Sequence, residues 1–122
     1  MPTAVTYFPN GVNTGVPVVA SADVAITLRA GTVHITKGSA AALTLSAPIA
    51  GAPSAGGEDG NFLRIYSETA FAHTVTQTTP GFNNGGAASD VGTFAAAVGN
   101  GLDLEARNGI WWVIRNAGVT LA

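Results

Sequence analysis

Side chains that could perform acid–base or nucleophilic chemistry are scarce in this sequence. The histidines are His34 and His73, and they are accompanied by seven carboxylates and no cysteine. General acid–base catalysis needs a positioned proton carrier, and nucleophilic catalysis needs a nucleophile with an activating partner. The sequence contains neither such a pairing nor a zinc-protease, serine-hydrolase, phosphate-binding or dinucleotide motif. We therefore expect no catalytic residues, no cofactor site and no metal site.

Each histidine has a structural interpretation that is favoured over a catalytic one. His34 falls in the outward-facing set of a predicted strand, where a solvated or interfacial histidine is common. His73 shares a strand face with apolar residues, which favours a partly buried ring whose nitrogens are hydrogen-bonded. A small hydrolase or lyase stays open as an alternative only if these two rings converge in space with Glu68 and Asp90.

One run of oxygen-bearing residues could bind a cation. Glu58-Asp59-Gly60-Asn61 offers ligands suited to Ca²⁺. It lacks, however, the spacing of an EF-hand loop and the terminal bidentate glutamate of that motif. A solvated loop is the favoured interpretation.

Charge and composition argue against several classes of partner. Charged residues make up 10% of the 122 residues, and five basic against seven acidic side chains give a net charge of −2. Nucleic-acid binding relies on clustered basic residues, so neither DNA nor RNA is expected.

No window approaches the roughly 18 apolar residues of a membrane span, and the first ten residues do not resemble a signal peptide. The lack of cysteine fits assembly in a cytoplasm, and the sparse charge predicts that another protein covers part of the surface.

Glycine and proline divide the chain into an extended N-terminal arm, residues 1–23, and a single β-domain, residues 24–122. Prolines and glycines among the short apolar pieces of the arm prevent a helix and favour extended backbone. Beyond the arm, alternation of apolar and polar residues predicts short strands. They cover residues 24–29, 32–37, 40–46, 61–67, 71–78, 92–98, 102–107, 110–115 and 119–121. About eight strands without a convincing helix predict an all-β fold, an antiparallel β-sandwich or small barrel.

The connections between these strands predict one early hairpin and two long loops. Ala30-Gly31 offers a two-residue hairpin turn, and in that register Leu28 faces Val33. Residues 47–60 form a loop rich in glycine and proline. A second loop covers residues 79–91, and loops of this length tend to be functional or mobile.

The C-terminal hairpin is the clearest element of the sequence. Asn108-Gly109 between two strand patterns is the strongest short hairpin signal, and it predicts Glu105 opposite Trp112 and Asp103 opposite Ile114. One face of this hairpin is mostly apolar, while the other mixes large apolar side chains with carboxylates. A strand with large apolar side chains on both faces is either covered on both faces within its own domain or contacts another molecule. We therefore predict that Trp112 contacts another protein, with a core position as the alternative.

Several stretches resemble small structural proteins of tailed bacteriophages, most closely capsid decoration (cement) proteins, followed by fibre and tail modules. The resemblance runs roughly from Gly31 to the C-terminus. Its stretches are Gly31-Thr32-Val33-His34-Ile35-Thr36-Lys37, Ala72-His73-Thr74-Val75-Thr76 followed by Gly81-Phe82-Asn83-Asn84-Gly85-Gly86, and Asn108-Gly109-Ile110-Trp111-Trp112-Val113 with the ending Gly118-Val119-Thr120-Leu121.

This resemblance implies a β-domain on the outer surface of a virion, made in the host cytoplasm and bound to major capsid protein subunits. Such proteins often assemble as homotrimers and carry N-terminal arms that add to the sheet of a partner. The contact residues predicted from the arm, the second loop and the hairpin are Tyr7, Phe8, Val16, Val18, Phe82, Trp112 and Ile114. The alternative is a fibre, spike or baseplate module that binds a host glycan or another tail protein. Its contact surface would comprise Tyr66, Trp111, Trp112 and the loop 79–91.

Overall fold

The computed structural model describes residues 17–122, and over that range the protein is all-β, as predicted. Tyr7, Phe8 and Val16 lie outside the described residues, as does most of the predicted arm. The described chain forms ten strands and three short 3₁₀ helices. In order these are β1 (Val18–Ala20), β2 (Ala25–Ile26), β3 (Gly31–Ile35), β4 (Ala42–Leu45), η1 (Pro53–Ala55), β5 (Phe62–Ser67), β6 (Thr74–Thr76), η2 (Phe82–Asn84), η3 (Gly86–Ser89), β7 (Val91–Phe94), β8 (Gly101–Arg107), β9 (Ile110–Ala117) and β10 (Val119–Leu121).

The strands form two five-stranded sheets of mixed direction. The first sheet has the order β1-β3-β5-β8-β9 and the second the order β10-β7-β6-β4-β2. The first three strands of each sheet along the chain are parallel to one another, and the later strands pair antiparallel. The prediction of antiparallel sheets was therefore wrong. From β1 to β6 the chain changes sheets after every strand. A strand reached through such a crossover can pair in parallel with the preceding strand of its own sheet.

The hairpin predicted at Ala30-Gly31 does not form. β2 pairs with β4 in the second sheet, whereas β3 lies between β1 and β5 in the first. Alternation of apolar and polar residues reports which side of a strand is buried, and it does not report which strand lies beside it. Leu28 lies at the corner between the sheets, where it packs partly buried against the core.

Paired structure also begins earlier than predicted. Val18–Ala20 fell within the predicted arm, yet as β1 they pair in parallel with β3, with Val18 opposite Val33. Ala20 is buried among the core residues. Residues 18–20 are therefore part of the first sheet, although they precede the predicted boundary at residue 23.

The C-terminal hairpin β8–β9 is confirmed next to its turn. Asn108 and Gly109 have φ of 53° and 78°, and a two-residue type I′ turn requires positive φ at both positions. Glu105 lies opposite Trp112, as predicted.

Farther from the turn, the hairpin register differs from the prediction. A β-bulge between Asp103 and Leu104 shifts the pairing, so that Asp103 faces Arg115 instead of Ile114. A bulge places two residues of one strand against one of its partner. Ile114 is thereby left on the surface, where it is 58% exposed.

One hydrophobic cluster contains the inward-facing side chains of both sheets. Trp111 is its largest fully buried member, and its indole N–H donates to the carbonyl oxygen of Ser46 at 3.0 Å. Burial of this apolar surface is the main force that stabilises the fold. The cluster consists of Ala20, Ile26, Val33, Ile35, Ala41, Leu43, Leu45, Leu63, Ile65, Val75, Phe82, Phe94, Leu102, Leu104, Ala106, Trp111 and Val119.

Candidate functional site

The outer face of the first sheet carries much of the charge of this chain. Because side chains alternate along a strand, the residues between the buried ones point away from the core. Three of the five basic and two of the seven acidic side chains of the sequence lie on this face. The residues of this face are Val19, Thr32, His34, Phe62, Arg64, Tyr66, Asp103, Glu105, Arg107, Ile110, Trp112 and Arg115.

A polar cluster forms at the middle of this face. The hydroxyl of Tyr66 donates to Asp103 Oδ1 at 2.5 Å, and Arg64 Nε lies 3.7 Å from the same oxygen. Partial burial, with a further contribution from the bond to Asp103, raises the pKa of the Tyr66 phenol above its usual value. Tyr66 therefore stays a neutral donor, and these groups hold one another in place.

His34 lies near the edge of the same face, as the sequence indicated. Its Nδ1 is 3.2 Å from Glu68 Oε2, but the two atoms do not have the geometry of a hydrogen bond. The imidazole is half-buried and the carboxylate is exposed. A contact of this kind between partly exposed side chains contributes little to stability.

Three predicted contact residues within the described range are exposed. Val18 is 42% exposed, Trp112 37% and Ile114 58%. The neighbouring tryptophans of β9 point to opposite sides, with Trp111 fully buried. Trp112 is therefore a surface residue, and the alternative of a core position is wrong for it. The surface of Tyr66, Trp111 and Trp112 predicted for a glycan-binding module loses Trp111 for the same reason.

Phe82 was wrongly predicted as a contact residue. It begins η2 within the second long loop, but its side chain is fully buried in the core cluster. Its carbonyl oxygen accepts a hydrogen bond from Ser89 Oγ at 2.6 Å, which ties η2 to η3. A position in a predicted loop does not by itself reveal that the loop folds an aromatic ring inward.

His73 is fully buried, more so than the sequence indicated. The backbone N–H of Ala41 donates to its Nδ1 at 3.0 Å, so the ring proton belongs on Nε2. Thr69 Oγ1 lies 2.9 Å from Nε2 and itself donates to the carbonyl oxygen of Lys37 at 2.8 Å. This network fixes one neutral tautomer and uses both ring nitrogens. His73 is therefore a structural residue that connects β4 to β6, while His34 and Glu68 lie on the outside of the other sheet.

The oxygen atoms of the run 58–61 are used by donors of the protein itself. Arg29 binds the Glu58 carboxylate with two nitrogens, at 2.9 and 3.0 Å, and the N–H of Ile49 donates to Glu58 Oε1 at 2.7 Å. Asp59 Oδ1 accepts from the backbone N–H of Gly51 and of Asn108. The run thus joins three loops to one another. No group of three or more histidine or acidic residues that could hold a metal ion occurs within residues 17–122.

The contact between Arg29 and Glu58 makes stability depend on pH. The hydrogen bond from Arg29, the largest cause, lowers the pKa of Glu58 below its usual 4.5, although desolvation opposes the shift. A carboxyl group with a lowered pKa stabilises the folded state fully above its unfolded value and loses that contribution as the pH falls through the folded value. The Glu58→Gln variant should therefore melt below the wild type at pH 7, and the difference between their Tm values should shrink on acidification below about pH 4. A difference that stays constant between pH 7 and pH 2.5 would contradict this linkage.

The outer face of the second sheet contrasts with that of the first. We call it the threonine face, because its two rows across the sheet contain only threonine, alanine and valine. The first row is Ala42, Thr74, Thr93 and Thr120, and the second is Ala25, Thr44, Thr76 and Val91. Sequence reasoning did not identify this face, although the alternation Thr74-Val75-Thr76 and the lack of charge in these strands were visible.

Two grooves open at the margins of the sheets. One, of about 460 Å³, lies beside Phe62 and Arg64 at the start of β5. The other, of about 480 Å³, lies beside Arg29 and Glu58. Neither is lined by a histidine, and the charged pair of the second groove is already hydrogen-bonded.

No helix of the described residues is long and apolar enough to cross a membrane. Comparison of the sequence with models of known protein families, with curated proteins and with solved structures found no match.

Proposed function

We propose that this protein is a non-enzymatic virion structural protein that decorates and stabilises a tailed-phage capsid. It would bind the outer surface of major capsid protein subunits and would itself assemble as a homo-oligomer, a trimer in the simplest case. Its two sheets would be packed as a β-sandwich, with residues 1–16 as an arm that reaches a neighbouring subunit. The observation that carries this proposal is the edge of the first sheet at β1.

β1 is the outermost strand of the first sheet. Within residues 17–122 its strand partner is β3, on one side only. Val18 and Val19 are 42% and 60% exposed, so the side chains at this edge are apolar. No other strand of residues 17–122 pairs with the side of β1 that faces away from β3. An edge strand of this kind can add a strand from another chain through main-chain hydrogen bonds.

The opposite edge of the same sheet is protected. β9 is the last strand there, and its Val113 N–H donates to Asn83 Oδ1 at 2.8 Å. Asn83 and Asn84 adopt positive φ of 56° and 58°, which lets η2 fold against β9. Strand addition to the first sheet is thereby directed to the edge that follows residues 1–16.

Two further considerations support a structural role on a shell. The titratable groups of the described residues are engaged in hydrogen bonds and ion pairs or lie on the surface, except for Asp90 Oδ1 and His34 Nδ1, which are buried without a hydrogen-bond partner. In addition, the resemblance to decoration proteins covers the chain from Gly31 onward. A capsid presents many identical sites, so that repetition converts weak single contacts into a stable coat through avidity.

Deletion of residues 1–16 tests the proposal without removing β1. We expect the truncated protein to keep its circular dichroism spectrum and to bind expanded shells of its own capsid at least tenfold more weakly, because the arm would no longer reach a neighbour. Co-sedimentation with purified shells measures the bound fraction, and sedimentation velocity of the free protein measures its oligomeric state. Full binding by the truncated protein would refute the role of the arm, and a failure of the complete chain to bind shells would refute decoration altogether.

A fibre, spike or baseplate module that binds a glycan or another tail protein is the second candidate. It is favoured by Tyr66 and Trp112, which lie on the same outer face with one aromatic ring 37% exposed. Electron microscopy of labelled particles separates the two candidates. Label over the capsid surface supports decoration, and label confined to the tail tip supports the fibre module.

A further inference from the structure

Two buried oxygen atoms at the base of the loop 79–91 have no hydrogen-bond partner among the described residues. They are Oε1 of the Gln77 amide and Oδ1 of the Asp90 carboxylate. Gln77 is 2% exposed, and a buried acceptor without a donor costs its full desolvation penalty. Unpaired oxygens of this kind indicate that the site takes a ligand of its own.

The pairing of β6 with β7 places these two side chains opposite one another. Thr76 lies opposite Val91, and in the next position the N–H of Gln77 donates to the carbonyl oxygen of Asp90 at 2.7 Å. Side chains of residues opposed in an antiparallel pair start about 5 Å apart. Because Thr76 and Val91 belong to the threonine face, alternation directs Gln77 and Asp90 to the core side of the sheet.

A main-chain oxygen lies beside the Asp90 carboxylate. Gly81 has a φ of 78°, and a Cβ atom at this residue would lie 3.1 Å from Asp90 Oδ1 and 2.6 Å from the carbonyl oxygen of Gly86. The loop thus brings both oxygens to the same side of Gly81. Gln77 Nε2 donates to the carbonyl oxygen of Thr79 at 2.7 Å, which fixes the orientation of the amide and leaves its oxygen free.

We propose that these oxygens bind a metal cation, and that the cation is Ca²⁺. Carboxylate, side-chain amide and main-chain carbonyl oxygens are the ligands that Ca²⁺ takes in flexible geometry, whereas Mg²⁺ requires a near-ideal octahedron and Zn²⁺ favours nitrogen and sulfur. A cation would also compensate the charge of Asp90, which forms no ion pair within residues 17–122. A site with one carboxylate should be weak, with a dissociation constant on the order of 1 mM.

The site differs in this respect from the acidic run 58–61. The Glu58 carboxylate accepts hydrogen bonds from Arg29 and Ile49, and Asp59 Oδ1 accepts two main-chain hydrogen bonds. Asp90 Oδ1 is buried without any such donor. An ion bound there would connect β6 and β7 to the loop that carries Asn83, whose side chain contacts β9.

Thermal unfolding of the wild-type protein tests the site. We expect about 10 mM Ca²⁺ to raise the Tm by roughly 5 °C relative to EDTA at the same ionic strength, because a ligand that binds only the folded state stabilises it by mass action. The same concentration of Mg²⁺ should raise the Tm by less than half as much, because Mg²⁺ gives up its water reluctantly. Calorimetric titration with Ca²⁺ measures the affinity directly.

Substitutions of the two opposed residues should have opposite effects. Asp90→Asn keeps the shape of the side chain but removes its charge, so it should abolish the rise in Tm. Gln77→Glu places a second carboxylate opposite Asp90, so it should lower the Tm in EDTA and bind Ca²⁺ about tenfold more tightly. The matched control is Asp59→Asn, which removes a carboxylate from the run 58–61 and should leave the Ca²⁺-dependent rise unchanged.

Three results would overturn the inference. A wild-type Tm that is equal in Ca²⁺ and in EDTA would show that water or a shared proton satisfies the two oxygens. A full rise in Asp90→Asn, or a rise that Asp59→Asn abolishes, would show that the ion binds elsewhere. Should Asp90→Asn not fold, as judged by circular dichroism, equal Ca²⁺ affinities of the wild type and Gln77→Glu would exclude the pair. These measurements use the free protein, so their outcome does not depend on capsid binding.

Discussion

Replacement of Trp111 by alanine is expected to lower the free energy of unfolding by about 4 kcal/mol, because removing a large aromatic side chain leaves a cavity that the core fills only partly. The side chain is fully buried, its N–H bond to Ser46 is lost, and the Arg29 guanidinium 5.5 Å from the ring centre loses its aromatic contact. Since small domains have total stabilities of about 5–15 kcal/mol, the variant should be close to unfolding. Urea denaturation followed by far-ultraviolet circular dichroism measures the change.

The neighbouring tryptophan provides the matched control. Trp112 is 37% exposed, and its indole N–H makes a 3.3 Å bond to the carbonyl oxygen of Arg107 on the surface. Trp112→Ala should therefore cost less than about 1 kcal/mol. Equal losses in the two variants would contradict the opposite orientations of these side chains. Trp111→Phe should fall between them, because it keeps part of the aromatic volume.

His73→Phe is expected to cost about 2–3 kcal/mol even though it preserves an aromatic ring. The ring packs edge-on against Phe71 and Phe94, with centroids 6.2 Å away in each case, and phenylalanine can keep these contacts. It cannot accept the hydrogen bond from the N–H of Ala41, however, and a buried donor without a partner costs its full desolvation penalty. Thermal unfolding of the variant measures this loss.

Two further substitutions identify the cause of the loss at His73. His73→Asn restores an acceptor near the position of Nδ1, so it should recover part of the stability despite its smaller volume. His34→Phe removes the half-exposed histidine of the first sheet and should change stability by less than about 0.5 kcal/mol. A His73→Phe protein as stable as the wild type would show that the Ala41 N–H finds another acceptor.

The sequence predicted local features of this fold well. Asn108-Gly109 determines both the turn of the C-terminal hairpin and the pairing of Glu105 with Trp112, because positive φ at two adjacent positions allows few alternatives. The class of the fold and the positions of β2 to β10, although not all their bounds, follow from alternation of apolar and polar residues. These signals lie within a few residues of one another in the chain.

Features that depend on distant residues were not accessible in the same way. The parallel pairing of β3 with β5 joins residues about thirty positions apart, and alternation is equally compatible with a hairpin at Ala30-Gly31. Nothing near Phe82 indicates that η2 folds its ring into the core. The threonine face becomes visible only when the register places residues of several strands in one row. Of the candidate site, the sequence therefore predicted exposed side chains on one hairpin and missed the face formed by the second sheet.

The contact between Asn83 and Val113 has a consequence for how copies of this protein behave when they are crowded. A sheet that can be extended at both edges can grow without limit, and concentrated protein is then at risk of forming fibrils. In the first sheet the side-chain oxygen of Asn83 accepts the Val113 N–H, so this main-chain donor of the β9 edge is not available to a strand of another copy. A single asparagine side chain thus makes edge-to-edge pairing less favourable at β9 than at β1.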